Sequence, residues 1–253
     1  MNSLFVFTLK ELKEQIKTFK GIIVAIVLLL FGMTSPLLAK LTPEMLKMAD
    51  LGVEIKIPDP TYIDAYAQFF KNMSQMVLII VLLIYSNSVV NETLRGTAPL
   101  MLTKKLTRSA FIIAKFLSAA VVWSVSYVAS ALTCTFYTAY LFPNAPTAKL
   151  FLPLATMWLF GIITLAISIL TSTIFKNYAL AAVGGFCLWG LTLLTGSIPK
   201  IKDYSPAALA SINVQLISGV LAPDKMLWPV LTGCIYTIFL IACACIVFRK
   251  REL

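Results

Sequence analysis

Histidine, the side chain most often used as a general base or metal ligand near neutral pH, does not occur in this sequence of 253 residues. Ser-His catalysis, His-bound metals and His proton relays are therefore excluded. The five cysteines, Cys134, Cys187, Cys234, Cys243 and Cys245, are odd in number, lack CxxC spacing and lie in apolar runs, so they read as small packing residues. No GxxxxGK[ST] loop is present, so the chain is not itself a P-loop ATPase. Catalytic, metal-ligating and cofactor-binding residues are all expected to be none.

The charged chemistry that remains is gathered in residues 91–115, NETLRGTAPLMLTKKLTRSAFIIAK, between two apolar runs. This stretch is expected to leave the membrane, turn near Gly96 and start a short helix around Thr97, Ala98 and Pro99, where proline is tolerated in a first turn. Arg95, Lys104, Lys105 and Arg108 supply charge. Leu94, Met101, Leu102 and Leu106 supply apolar knobs that a purely solvated loop would not need, which favours docking of a short helix into a partner's groove. Ser86, Asn87 and Ser88, with Thr133, Thr135, Tyr137 and Thr138, could line a path, although hydrogen bonding between helices is the favoured reading.

The elements that position these residues follow from composition. The chain is 59% hydrophobic and 13% charged, with a mean hydropathy of +0.89, whereas soluble domains carry about 25% charged residues. Apolar runs long enough to cross a bilayer as helices recur at 21–39, 74–90, 111–141, 151–175, 178–196 and 229–248. Their continuous apolarity, without two-residue alternation, argues for helices and against a barrel. The fold class is thus an all-α polytopic membrane protein with six spans in one domain covering 1–253. The long charged leader and span-sized first run argue against a cleaved signal peptide.

Outside the spans, residues 1–20 read as an amphipathic interfacial helix, with Phe5, Leu9, Leu12, Ile16 and Phe19 at helical spacing. The segments 40–73 and 197–228 fall on the opposite side. In the first, Tyr62, Ala65, Tyr66, Phe69 and Phe70 share one helical side, suited to an interfacial anchor or to a cap over an exit path. In the second, Ser205 is the expected N-cap, Pro206 the first helical residue and Gly219 the terminator. With the N-terminus inside, 13 of the 21 Lys and Arg residues fall on the inner side, so both termini are expected to be cytoplasmic. The net charge of +10 then reflects topology and attraction to anionic lipid, with no nucleic-acid partner expected.

The pattern Glu92, Gly96-Thr97, Leu100-Met101-Leu102, Thr107-Arg108-Ser109 and Ala114-Lys115 resembles the segment after the second span in permeases of type-2 ATP-binding-cassette (ABC) exporters. A Lys-Lys-Leu stands where many relatives have Pro-Val. The N-terminal helix, the six spans, the outer segment before the last span and the ending FRKREL extend the resemblance over nearly the whole chain. The resemblance implies a permease of a bacterial cell membrane, paired with a second copy or paralogue and seated on ABC ATPase subunits that bind ATP and Mg. It further implies that 91–110 is the coupling region, with Glu92, Gly96, Thr97, Leu100, Met101, Leu102, Lys104, Lys105 and Arg108 as docking residues. Phe175, Lys176 and Asn177 would form a second cytoplasmic contact, and helices at 197–228 a re-entrant outer gate.

A hydrophobic or amphipathic cargo, such as a peptide, drug or lipid-like molecule, is the expected substrate class. The alternatives are an ion-gradient-driven carrier or channel and a non-transport membrane scaffold. The first is disfavoured because no Asp or Glu lies near the centre of any span, where such carriers commonly bind their driving ion.

Overall fold

The computed structural model describes residues 3–48, 59–97, 107–143 and 149–251. Among these residues there is no strand, and six helices are long and apolar enough to cross a membrane. Helix α1 (Ser3–Lys17) stops at Phe19, which adopts the left-handed conformation at φ 59°, and α2 (Lys20–Met48) forms the first span. The second span is a composite of α3 (Tyr62–Asn72), a π turn (Met73–Val77), α4 (Leu78–Tyr85) and, after a break at Ser86 and Asn87, α5 (Ser88–Leu94). The remaining spans are α6 (Arg108–Leu141), α7 (Phe151–Ile174), α8 (Tyr178–Leu194) and α11 (Leu227–Lys250), with the short helices α9 (Ala208–Ser211) and α10 (Asn213–Ile217) before the last.

Local chemistry explains several boundaries. Thr107 opens α6, its hydroxyl accepting the Ala110 N–H at 3.2 Å, and Asn177 opens α8 by accepting from Ala179 at 2.9 Å. Thr61 and Asp64 form a capping box at the start of α3. With 34 residues, α6 is about 50 Å long at 1.5 Å per residue, well beyond the roughly 30 Å of hydrocarbon, so its ends must tilt or project. Ser205 accepts from Ala207 at 3.0 Å, but the helix begins at Ala208 with Ala207 at its N-cap, two residues later than expected; Gly219, at φ +75°, follows the end of the segment's second helix as expected. The helix between them is broken at Ile212 into two short pieces that pack on α7.

Helix α7 is the centre of the bundle. Every residue from Leu159 to Thr173 is buried, as expected for a helix apolar on all sides. Both α8 and α11 lean on α7, while α2 runs along α6. Lipid-facing stripes remain on the outer helices, for example Val121, Val125, Val128, Leu132 and Phe136 on α6. The α6–α7 contact is closed by Trp123, whose indole N–H donates to the Trp158 carbonyl at 3.1 Å and whose ring covers Gly161.

The aromatic face of α3 differs from its expected role. Ala65, Tyr66, Phe69 and Phe70 are all buried in the bundle, where α3 packs on α2, which is a core role and not that of an interfacial anchor. The π turn joins α3 to α4 as one continuous rod, which carries this stripe into the core.

A side chain at position 161 has no space, because a Cβ there would lie 2.1 Å from the Trp123 ring. Gly161→Ala is expected to displace Trp123 and cost about 1–3 kcal/mol. A lower unfolding temperature in detergent together with a shifted Trp emission would show it; wild-type values for both would mean that the ring moves freely.

Candidate functional site at the end that carries both termini

Three elements distant in sequence meet at one ammonium group. Lys115, two turns into α6, is 4% exposed and donates to Glu11 Oε2 of α1 at 2.9 Å and to Glu92 Oε1 of α5 at short range. Glu11 and Glu92 are likewise buried. Lys10 extends the cluster with contacts to Glu11 at 3.2 Å and Glu14 at 2.6 Å. Burial works against both charges of the Lys10–Glu14 pair, but their mutual hydrogen bond prevails, raising the Lys10 pKa and lowering that of Glu14. A neutral chain continues the contact, with Tyr85 donating to Gln15 Oε1 and Gln15 Nε2 to Ser118 Oγ, each at 2.8 Å.

This arrangement inverts the usual amphipathic helix. Helix α1 buries Phe7, Glu11 and Gln15 against the protein and leaves Phe5, Leu9 and Ile16 exposed, the side suited to lipid. The carboxylates of Glu11, Glu14 and Glu92 come within 4.8 Å of one another, a spacing a metal ion could use. Lys115 and Lys10 already occupy the position a cation would take. A cavity of about 30 Å³ adjoins the cluster, room for one water beside Ser88 Oγ and Glu92 Oε2, neither of which has a partner among the described residues.

The break at Ser86 and Asn87 exposes backbone donors inside the bundle, and α7 satisfies them. Ser172 Oγ accepts from Val89 N at 2.9 Å and Val90 N at 3.2 Å, closing the first turn of α5 from a neighbouring helix. At the same end, Arg108 Nη1 donates to the carbonyls of Arg249 and Arg251 at 2.7 and 2.8 Å. Arg251 in turn donates to the carbonyls of Thr173 at 2.8 Å and Phe175 at 3.4 Å. Two guanidinium groups thereby cap the C-termini of α11 and α7, where cations are favoured.

The residues singled out from sequence separate into three groups. Leu100, Met101, Leu102, Lys104 and Lys105 lie outside the described residues. Glu92 turns inward to Lys115, and Arg108 engages the end of α11. Gly96 does turn the chain, at φ +66°, and Thr97 donates to the Glu92 carbonyl at 3.2 Å. Phe175 packs over Gly184, Asn177 caps α8, and Lys176 is exposed.

Ser86 and Thr133 donate to carbonyls of their own helices at 2.7 and 2.9 Å, and Thr138 is buried beside Cys134. These contacts lie within single helices and not between helices as expected, while Asn87 and Ser88 stay half-buried at the break. Glu11, Gln15, Ser172 and Arg251 escaped sequence reasoning as functional candidates, and Lys115 entered it only within the Ala114-Lys115 motif, without its partners. One signal was available for Lys115: α6 contains no acidic residue, so a lysine two turns inside it needed partners from elsewhere.

Six apolar helices, with their ionic and capping contacts gathered where α1, α5, α6, α7 and α11 converge, define a polytopic membrane protein of permease type. The model of the ABC-2 family transporter proteins matches residues 6–253, and the chain belongs to that family. It is also similar to the "Uncharacterized transmembrane protein YxlG" of Bacillus subtilis (strain 168), 25% identical over 240 residues that cover 92% of each chain. The protein is accordingly a multi-pass membrane component of an ABC transporter, a class that works with an ABC ATPase.

Removing one partner of a buried ion pair leaves an uncompensated charge, a loss of about 3–5 kcal/mol. Lys115→Met should therefore be strongly destabilising in detergent melts, and adding Glu11→Gln with Glu92→Gln should recover most of the loss. Ser172→Ala should cost about 1–3 kcal/mol by stranding two buried N–H groups. Equal melting of wild type and Lys115→Met would show that the cluster is hydrated and weak.

Proposed function

We propose that this permease is the membrane subunit of an ATP-driven exporter. Two permease chains, the second a copy or a paralogue, form the path, and separate ABC ATPase subunits bind ATP with Mg and drive it. The end carrying α1 and the end of α11 faces the cytoplasm, in keeping with the excess of Lys and Arg on that side. The apolar patch Leu100, Met101 and Leu102, with Lys104 and Lys105, is the ATPase-docking surface, and Phe175, Lys176 and Asn177 form a smaller second contact.

The observation that supports this reading is the position of the Glu92–Lys115 pair. These residues stand on either side of the docking segment and bind each other as well as Glu11. A push on residues 93–114 thus acts on a loop whose two ends are pinned together, and it is delivered to α1, α5 and α6 at once. Hydrophobic or amphipathic cargo suits the spans, whose hydroxyls largely bond back to their own helices and leave few directional groups for a polar solute.

Co-purification with the ATPase tests both parts. Leu100→Ala with Met101→Ala and Leu102→Ala is expected to abolish the complex. The neutral triple Glu11→Gln, Glu92→Gln, Lys115→Met is expected to keep the complex but lose, by tenfold or more, the permease-dependent change in ATP hydrolysis. An unchanged complex in the first variant, or unchanged stimulation in the second, would overturn the reading.

A further inference from the structure

At the end of the bundle remote from the termini, a crevice of about 540 Å³ opens between α8, α11 and the loop that joins α8 to α9. Its walls are hydrocarbon from Leu191, Ile201, Pro206, Ile235 and Phe239. The polar atoms along it are already engaged with one another: Thr192 Oγ1 and Tyr236 OH are 3.2 Å apart, Thr195 pairs with Ser205, and Thr232 donates to the Tyr204 carbonyl at 2.6 Å. What the crevice offers an occupant is therefore apolar contact. It lies along the last turns of α8 and the first half of α11, two of the six helices apolar and long enough to cross a membrane.

Tyr204 separates this crevice from a second cavity of about 560 Å³, lined by Lys202, Asp203, Gln215, Lys225 and Trp228. Two lysines against one aspartate leave that chamber cationic. The rings of Tyr204 and Trp228 meet edge to face, 5.7 Å between centroids, and both are exposed, as aromatic residues at the level of lipid headgroups usually are. The two cavities together thus present an apolar slot with a positively charged chamber at its mouth. Each volume falls within the roughly 300–1,000 Å³ of ordinary ligand pockets.

We propose that this pair of cavities binds an anionic phospholipid from the surrounding bilayer, one acyl chain lying in the crevice and the phosphate headgroup between Lys202 and Lys225. The occupant is a lipid and not a soluble anion, because the cationic chamber and the apolar slot share the Tyr204 wall. The site is distinct from the ionic cluster at the other end and does not depend on the ATP-driven reading.

The test uses the full chain in nanodiscs with a trace of phosphatidylglycerol bearing a diazirine on its acyl chain, followed by peptide mapping after illumination. Adducts are expected to concentrate on 191–195 and 235–239, and to fall at least fivefold when the same label is carried by phosphatidylcholine. Lys202→Gln with Lys225→Gln should erase that preference, and Ile235→Trp, which fills the slot, should remove the adducts while the melting temperature stays unchanged. Equal labelling by the two lipids, or adducts spread evenly along α8 and α11, would overturn the proposal. So would an inter-chain disulfide at Ile235→Cys in a background without Cys187 and Cys234, since a second copy would then occupy the crevice.

Discussion

In hydrocarbon a polar group finds its partner within the protein or pays the full cost of desolvation, and this single constraint organises the bundle. Wherever the chain departs from plain helix, another element supplies the missing bond. Ser172 on α7 closes the break between α4 and α5, and Arg108 and Arg251 close the ends of α11 and α7. Asn213, between the two short helices, donates to the Leu209 carbonyl at 3.0 Å and accepts from Thr156 of α7 at 2.8 Å. At these four places the supplied bond involves α6 or α7, which ties both helices into the frame of the bundle.

The same constraint separates what the sequence shows from what it hides. Six apolar runs and the absence of alternation are long-range averages, so the helical class and the number of spans are legible without any contact being known. The helical spacing of Phe5, Leu9 and Ile16 also marked one face of α1, and those residues are exposed. Its partner face was hidden because it is polar: Glu11 and Gln15 look like solvated positions until Lys115 and Tyr85 are brought to them over 104 and 70 residues. The contacts of Glu92 and Arg108 were hidden for a related reason. A charge beside a cytoplasmic loop looks like a docking group, and nothing local reveals that its partner lies on another helix.

The aromatic residues of α3 illustrate the limit of periodicity. A stripe at 62, 65, 66, 69 and 70 has the same spacing whether it faces an interface or a core. Their aromatic character favoured the former. In the structure α3 runs through the π turn at 73–77 into the second span and packs on α2. No residue type announces a π turn, so its consequence for burial could not be read in advance.

A buried ion cluster is weak grounds for stability, since apolar residues of similar volume often serve as well. What Glu11, Lys115 and Glu92 contribute that apolar residues cannot is a discrete arrangement: separating any one of them strands a charge, so α1, α5 and α6 prefer to move as a unit. The guanidinium contacts do the same for α6, α7 and α11. Both sets meet in the first two turns of α6, at Arg108 and Lys115, immediately after the segment that precedes it. A displacement of that segment cannot be absorbed by bending one helix alone. It must either rotate α6 with everything bonded to it or break one of the two clasps, and the cost of stranding a charge makes the rotation the cheaper course.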